Sequence, residues 1–203
     1  MDTAIIRAVN ELWLPVYPGI ARQIADHCAS PPGRMLEFGC FSGGIGLTLL
    51  QQFPQSTLTI APEIEELAAT FSSDWACLLE QRAAERLRIV PGPLASMHAA
   101  DTAYDLIICR GLFFFLDAGS ALLSELYRLL SPGGLVFAGG GYGAYTPSEI
   151  IDRLADESRR LNYALGRKFF SREEFAQAVA TAGLAAQSRI IEEGGLWAVM
   201  KKA

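Results

Sequence analysis

The chain has 203 residues, 51% of them hydrophobic, which is enough for one sizeable core and short for two domains. Seventeen Lys and Arg stand against 22 Asp and Glu, and a net charge of −5 without a basic run offers no general attraction to a nucleic-acid backbone or an anionic membrane. Four cysteines (Cys28, Cys40, Cys77, Cys109) with no C-x-x-C pair, and only His27 and His98 beside them, argue against a structural zinc and for free thiols in a reducing compartment. Met1-Asp2-Thr3 is no signal-peptide start, and the apolar stretch Leu112–Leu116 is far below the roughly 20 residues of a membrane span. The expectation is one soluble, cytoplasmic domain over residues 1–203, without a metal, a nucleic-acid partner or a membrane partner.

In chain order, Ile5, Ala8, Val9, Leu12 and Trp13 share one helical face, and Tyr17, Ile20, Ala21 and Ile24 share another. These N-terminal helices fill residues 1–30, and Pro31-Pro32-Gly33 stops them. Met35–Phe38 predicts a first strand, followed by the glycine-rich turn Gly39–Gly46 and a helix through Leu47–Leu50. Thr57–Ile60 predicts a second strand, with Pro62 opening a helix toward Phe71, then Leu87–Val90 a third and Leu106–Cys109 a fourth. Leu122, Leu123, Leu126, Leu129 and Leu130 form a helical stripe that Ser131-Pro132-Gly133-Gly134 ends before a fifth strand, Leu135–Ala138. This core spans residues 34–143. Residues 144–203 hold a helix after Thr146-Pro147-Ser148-Glu149, which has capping-box spacing, and a second after the capping box Ser171-Arg172-Glu173-Glu174. Ala185–Ile191 and Leu196–Lys202 close the chain as an antiparallel hairpin, at whose surface Trp197 leaves a homodimer contact open. Strands alternating with helices predict an α/β fold, a doubly wound, mostly parallel sheet of about seven strands ending in that hairpin.

The turn Gly39–Gly46 is the strongest local signal, because such turns let a backbone approach a nucleotide and aim helix-terminal amides at it. It is neither a P-loop nor the G-x-G-x-x-G fingerprint. Met35 through Gly43 resembles the acidic-x-G-x-G-x-G motif of the Rossmann-like (class I) S-adenosylmethionine-dependent methyltransferases. Tyr104 through Gly111 resembles that family's fourth-strand motif, and Glu125 through Gly134 its helix and turn before the fifth strand. Phe169 through Gly183 and Gly194 through Trp197 are similar to its C-terminal helix and hairpin.

The resemblance implies S-adenosylmethionine as cofactor, S-adenosylhomocysteine as product, and direct methyl displacement onto a small-molecule acceptor. It places Glu37 at the methionine end of the cofactor and Gly39, Cys40 and Gly43 in the turn beneath it. Cys109 and Arg110 would lie beside the methionine portion, while Tyr17 either contacts the cofactor or serves as a core aromatic. Phe114 and Phe115 would wall the acceptor pocket or pack in the core, and Tyr142 and Tyr145, in the glycine-rich Gly139–Gly143 region, are expected to contact the acceptor. That glycine run allows a close backbone approach or a moving lid. Arg159, Arg160, Arg167 and Lys168 form a basic stretch that is either a solvated face or a contact for an anionic acceptor. No catalytic constellation is evident, and His98 fits a solvated loop better than a base.

Three positions depart from the family pattern. Phe41 replaces the middle glycine and is expected to project into or against the cofactor's path. Pro62 stands where a carboxylate would hold the ribose, with Glu63 next to it as a substitute. Pro93, before Leu94, stands where an acid would meet the adenine. Each lost charge-assisted hydrogen bond costs on the order of 1.5–3 kcal/mol unless replaced. The alternative to an enzyme is therefore a binding or regulatory protein that kept the fold and lost normal cofactor binding.

Overall fold

The computed structural model describes residues 2–68, 85–97, 104–116 and 121–203. Cys77, His98 and the far end of the helix expected after Pro62 lie outside them. Helix α1 (Thr3–Leu12) starts where the Asp2 carboxylate accepts from the Ala4 amide at 2.9 Å, and it turns Ile6 and Val9 inward, with Trp13 following on that face. Helix α2 (Tyr17–His27) carries Pro18 in its first turn, where no amide is needed, and buries Tyr17, Ile20 and Ile24. The strands are β1 (Arg34–Phe38), β2 (Thr57–Ala61), β3 (Leu87–Ile89), β4 (Tyr104–Arg110), β5 (Leu130–Gly140), β6 (Ser188–Ile191) and β7 (Leu196–Lys201). Between them lie α3 (Gly44–Gln52), α4 (Ala121–Arg128), α5 (Ser148–Ala164) and α6 (Arg172–Thr181).

One sheet takes all seven strands in the order β3-β2-β1-β4-β5-β7-β6. The first five run parallel, β7 is antiparallel to β5, and β6 is antiparallel to β7. Strand alternation divides the core. Leu106 and Ile108 of β4 face α1, α2, α3 and α5, whereas Ile107 and Cys109 face α4 and α6. Each fully buried aliphatic side chain contributes about 1.5–3 kcal/mol. No described helix is long and apolar enough to cross a membrane, and the described residues hold no cluster of three or more His, Cys, Asp or Glu fit for a metal.

Four local expectations are corrected. Strand β5 begins before Ser131-Pro132-Gly133-Gly134 rather than after it, because those residues are paired on both sides. The Ser131 hydroxyl donates to Asp105 Oδ1 at 2.8 Å, Gly133 N–H to the Lys202 carbonyl at 2.9 Å, and Lys202 N–H to the Gly134 carbonyl at 3.1 Å. Thr146 does not cap α5: its hydroxyl is drawn to the Tyr142 carbonyl, and Pro147 stands at the cap position without a side-chain bond. The capping box at Ser171 does form, with Ser171 N–H to Glu174 Oε2 at 2.7 Å and Glu174 N–H to Ser171 Oγ at 3.1 Å. Residues Ala185–Gln187 form a 3-10 turn, so β6 is shorter than expected. Trp197 is not a surface contact: it is fully buried, 4.8 Å from the Phe137 ring.

Candidate functional site

The strand order reverses between β1 and β4, so the chain leaves their C-terminal ends in opposite directions and opens a crevice there. Glu37, one residue before the end of β1, is wholly buried, and its Oε2 accepts from the Gly46 amide of α3 at 2.7 Å. Its Oε1 has no hydrogen-bond partner among the described residues. Burial raises the carboxyl to about 7, against the amides of Gly46, Gly43 and Ile45 and the charge of Arg110, which pull the other way. Gly39 follows with φ +107, a conformation that requires glycine, and a carbon placed on its free side would meet no described atom nearer than 3.9 Å. Gly44 and Gly46 differ, because there an added carbon would run into the Tyr17 ring and into Glu37 and Leu58.

Arg110 ends β4 and is 4% exposed. Its guanidinium lies 4.5 Å from the Trp13 ring, 5.0 Å from Phe41 and 5.2 Å from Tyr17, and donates to Asn10 Oδ1 at 3.0 Å and to the Tyr17 hydroxyl at 3.2 Å. The Tyr17 hydroxyl in turn donates to Asn10 Oδ1 at 3.2 Å, and burial pushes its pKa up to about 12. Three aromatic faces and two oxygens thus hold a buried cation that makes no ion pair among the described residues. Its Nε has no hydrogen-bond partner among the described residues.

Beside Arg110 opens a cavity of about 360 Å³. Trp13 and Tyr142, stacked with centroids 4.9 Å apart, form one wall, Phe113 and Phe114 another, and Gly140–Gly143 with Gly194 and Gly195 the floor. The floor is fixed by close backbone approach: Gly143 N–H donates to the Gly194 carbonyl at 2.7 Å, Ala144 N–H to Gln23 Oε1 at 3.0 Å, and Gln23 Nε2 to the Glu193 carbonyl at 2.8 Å. The glycine run is therefore a crossing point of two backbones.

The other expected residues fall as follows. Cys40 and Cys109 are buried thiols on opposite core faces, both pushed up by burial, and both feel the negative charge of Glu63. Glu63 is exposed at the end of β2, beside Pro62. Gly43, at φ +112, caps α3. Leu94 starts a 3-10 turn and is buried with Phe38 and Ala61. Phe41 is 1% exposed, but its described neighbours are Arg110, Phe114 (4.9 Å between rings) and Gly111, where an added carbon would meet the ring at 2.5 Å. The ring therefore borders the cavity, on the side of Gly111 and Phe114, and is not among the described atoms within 4 Å of a carbon placed on the free side of Gly39. Phe115 lies 3.9 Å from that free side. Tyr142 lines the cavity, but Tyr145 does not: its hydroxyl donates to Asp26 and Arg22 stacks on its ring at 4.1 Å, on the outer surface.

Asn10, Trp13 and Asn162 escaped sequence reasoning. Asn10 gave a signal, as a polar residue on the same helical face as Ile6 and Trp13. Of the basic stretch, Arg159 and Arg160 pair with Asp156 and Glu157 at the surface, and the Lys168 ammonium donates to the Leu116 carbonyl at 3.2 Å. Only Arg167 reaches the cavity.

A seven-stranded sheet in this order, with an acidic residue and a glycine turn at its switch point, is the arrangement that the motifs implied. Residues 36–136 match the family model described as Methyltransferase domain. The chain belongs to this family. Among curated proteins, this methyltransferase-family chain is 28% identical over 147 residues to a malonyl-[acyl-carrier protein] O-methyltransferase of Priestia megaterium, covering 70% of the chain and 50% of that protein. It is 27% identical over 152 residues to the protein of that name from Methylococcus capsulatus, covering 74% and 53%. The chain thus spans about half the length of the curated relatives it matches. Among solved structures, a proposed S-adenosyl-L-methionine-dependent methyltransferase from Methanococcus maripaludis superposes with a TM-score of 0.81 at 24% identity, over 100% of this chain and 94% of that one.

Proposed function

We propose that the protein is an S-adenosylmethionine-dependent methyltransferase acting on a small-molecule acceptor held in the Arg110 cavity. The observation that carries this reading is the pairing of an open glycine turn over a buried, half-satisfied carboxylate with an adjoining aromatic cavity across the switch point. The residues fit the cofactor. Glu37 Oε1 is a buried acceptor without a donor, Gly39 leaves room for a ligand against the backbone, and Glu63 supplies a carboxylate beside Pro62, where the usual acid is missing. Glu37, Gly39, Cys40, Gly43, Glu63, Leu94, Cys109 and Arg110 are the residues proposed to hold it.

When bound, S-adenosylmethionine supplies an electrophilic methyl group and leaves as S-adenosylhomocysteine. The chain's own part is positioning and exclusion of water, which can provide most of the acceleration of such a transfer. Phe41 and Phe114 form the partition between turn and cavity, and Trp13, Phe113 and Tyr142 supply a dry wall around the acceptor. The similarity to malonyl-[acyl-carrier protein] O-methyltransferases and to the methanococcal fold supports the reading.

Calorimetric titration with S-adenosylhomocysteine and S-adenosylmethionine tests it, with micromolar binding expected. Failure of both to bind the unmodified protein and Phe41→Gly would overturn the proposal. Binding confined to Phe41→Gly would mean that the ring closes the site and that the chain kept the fold without the activity.

A further inference from the structure

The cavity beside Arg110 is lined by two cations and, among the described residues, by no carboxylate and no histidine. Its second cation, Arg167, is put there by the end of α5. Gly166 takes φ +79 and its amide donates to the Tyr163 carbonyl at 3.0 Å, while Arg167 N–H donates to the Asn162 carbonyl at 3.1 Å. These two bonds form a Schellman ending, which folds the residue after the glycine back over the last turn. Asn162 and Arg167 consequently line the same cavity. Arg167 Nη2 lies 3.8 Å from where a side-chain carbon on Gly140 would stand, and its guanidinium is 6.0 Å from the Phe113 ring. Burial disfavours its protonated form, Tyr142 pulls the other way, and the charge of Arg110 adds a smaller push in the first direction. Neither arginine forms an ion pair with a described carboxylate, and Arg110 Nε is a buried donor without a partner among the described residues.

A buried guanidinium with an unpartnered Nε and a second, partly exposed guanidinium on the same apolar cavity are costly to keep together unless an anion neutralises them. We infer that the acceptor is an organic carboxylate with an apolar body, its carboxylate held by Arg167 with Arg110 and its body against Trp13, Phe113 and Tyr142. This inference rests on the methyltransferase reading for the word acceptor, and on the cavity alone for the word carboxylate. A carboxylate also arrives deprotonated, so it needs no general base, and no histidine, carboxylate or lysine lines the cavity among the described residues.

The test is a set of matched pairs, benzoate against benzamide and phenylacetate against phenylacetamide, titrated into the protein saturated with S-adenosylhomocysteine and followed by ligand-observed NMR. At least one carboxylate should bind about tenfold more tightly than its amide. The preference should collapse in Arg167→Gln and survive in part in Arg167→Lys, with melting temperatures showing both variants folded and S-adenosylhomocysteine affinity unchanged. Equal binding within every pair, or a preference that persists in Arg167→Gln, would overturn the inference. So would carboxylates that bind only in the absence of S-adenosylhomocysteine, because the arginines would then serve the cofactor's own carboxylate. If S-adenosylhomocysteine does not bind while the Arg167-dependent preference remains, the anion site stands and methyl transfer falls.

Discussion

Two glycine-rich segments meet at the site, and their glycines answer to different neighbours. In the turn after β1, Gly44 and Gly46 make room for side chains, the Tyr17 ring and the Glu37 carboxylate with Leu58. In the loop after β5, Gly141 and Gly143 face backbone, with Gly141 against Gly194 and Gly195 and Gly143 against Ile20. A side chain can rotate away from an intruding methyl group, whereas two crossing backbones can separate only by moving the elements that carry them. The first segment is therefore a turn with adjustable support, and the second is a fixed joint between the β5–α5 loop and the β6–β7 hairpin.

That difference can be broken by substitution. The largest effect is expected at Gly194→Ala, where φ is +66 and the new carbon would overlap the Gly143 and Ala144 backbone. Backbone strain and overpacking together should cost about 4 kcal/mol in a urea titration. Gly44→Ala should cost about 2 kcal/mol and be partly rescued by Tyr17→Leu in a double-mutant cycle. A larger loss at Gly44 than at Gly194 would reverse the comparison.

The buried carboxylate beneath the first segment gives the next effect. In the folded chain Glu37 keeps its proton up to about pH 7, against an ordinary value of 4.5, so unfolding releases a proton between those limits. Stability is then full below about pH 4.5 and falls as pH rises toward 7, by about 3 kcal/mol in all. Glu37→Gln should remove this slope, as read from denaturant midpoints between pH 5 and pH 8. Parallel curves for the two proteins would show that Glu37 titrates normally. The smallest effect is expected at Tyr145→Phe: with its hydroxyl on Asp26 at the surface, S-adenosylhomocysteine affinity should not change. A weakened affinity would return Tyr145 to the site.

Much of the turn after β1 was legible because it is local. Glu37, Gly39 and Gly43 belong to one strand-turn-helix unit whose spacing carries its own geometry, and strand alternation alone assigns Cys109 to one core face and Ile108 to the other. The Arg110 cavity was not legible to the same degree. Arg110 meets Asn10 across 100 positions, and Trp13 meets Ser158 across 145, at 2.9 Å between Nε1 and Oγ. Tyr142 and Tyr145 stand three residues apart with the same side chain, yet one stacks on Trp13 in the cavity and the other lies outside under Arg22. Trp197 looked like a surface residue because a terminal hairpin is often an edge. Here β6 takes the edge, and β7, one strand further in, buries the ring.

The sequence by itself determined the alternation of strands and helices, the glycine turn and the acid beneath it, since hydrophobic period and turn chemistry act over a few residues. Only the tertiary structure decided that Phe41 faces Gly111 rather than Gly39, and that the glycines after β5 are a joint rather than a lid. It also decided that Arg167 joins Arg110 while its basic neighbours stay at the surface. Those outcomes depend on which backbones cross and which helix end folds back over the cavity, and contacts between residues more than 50 positions apart leave no period in the chain to reveal them.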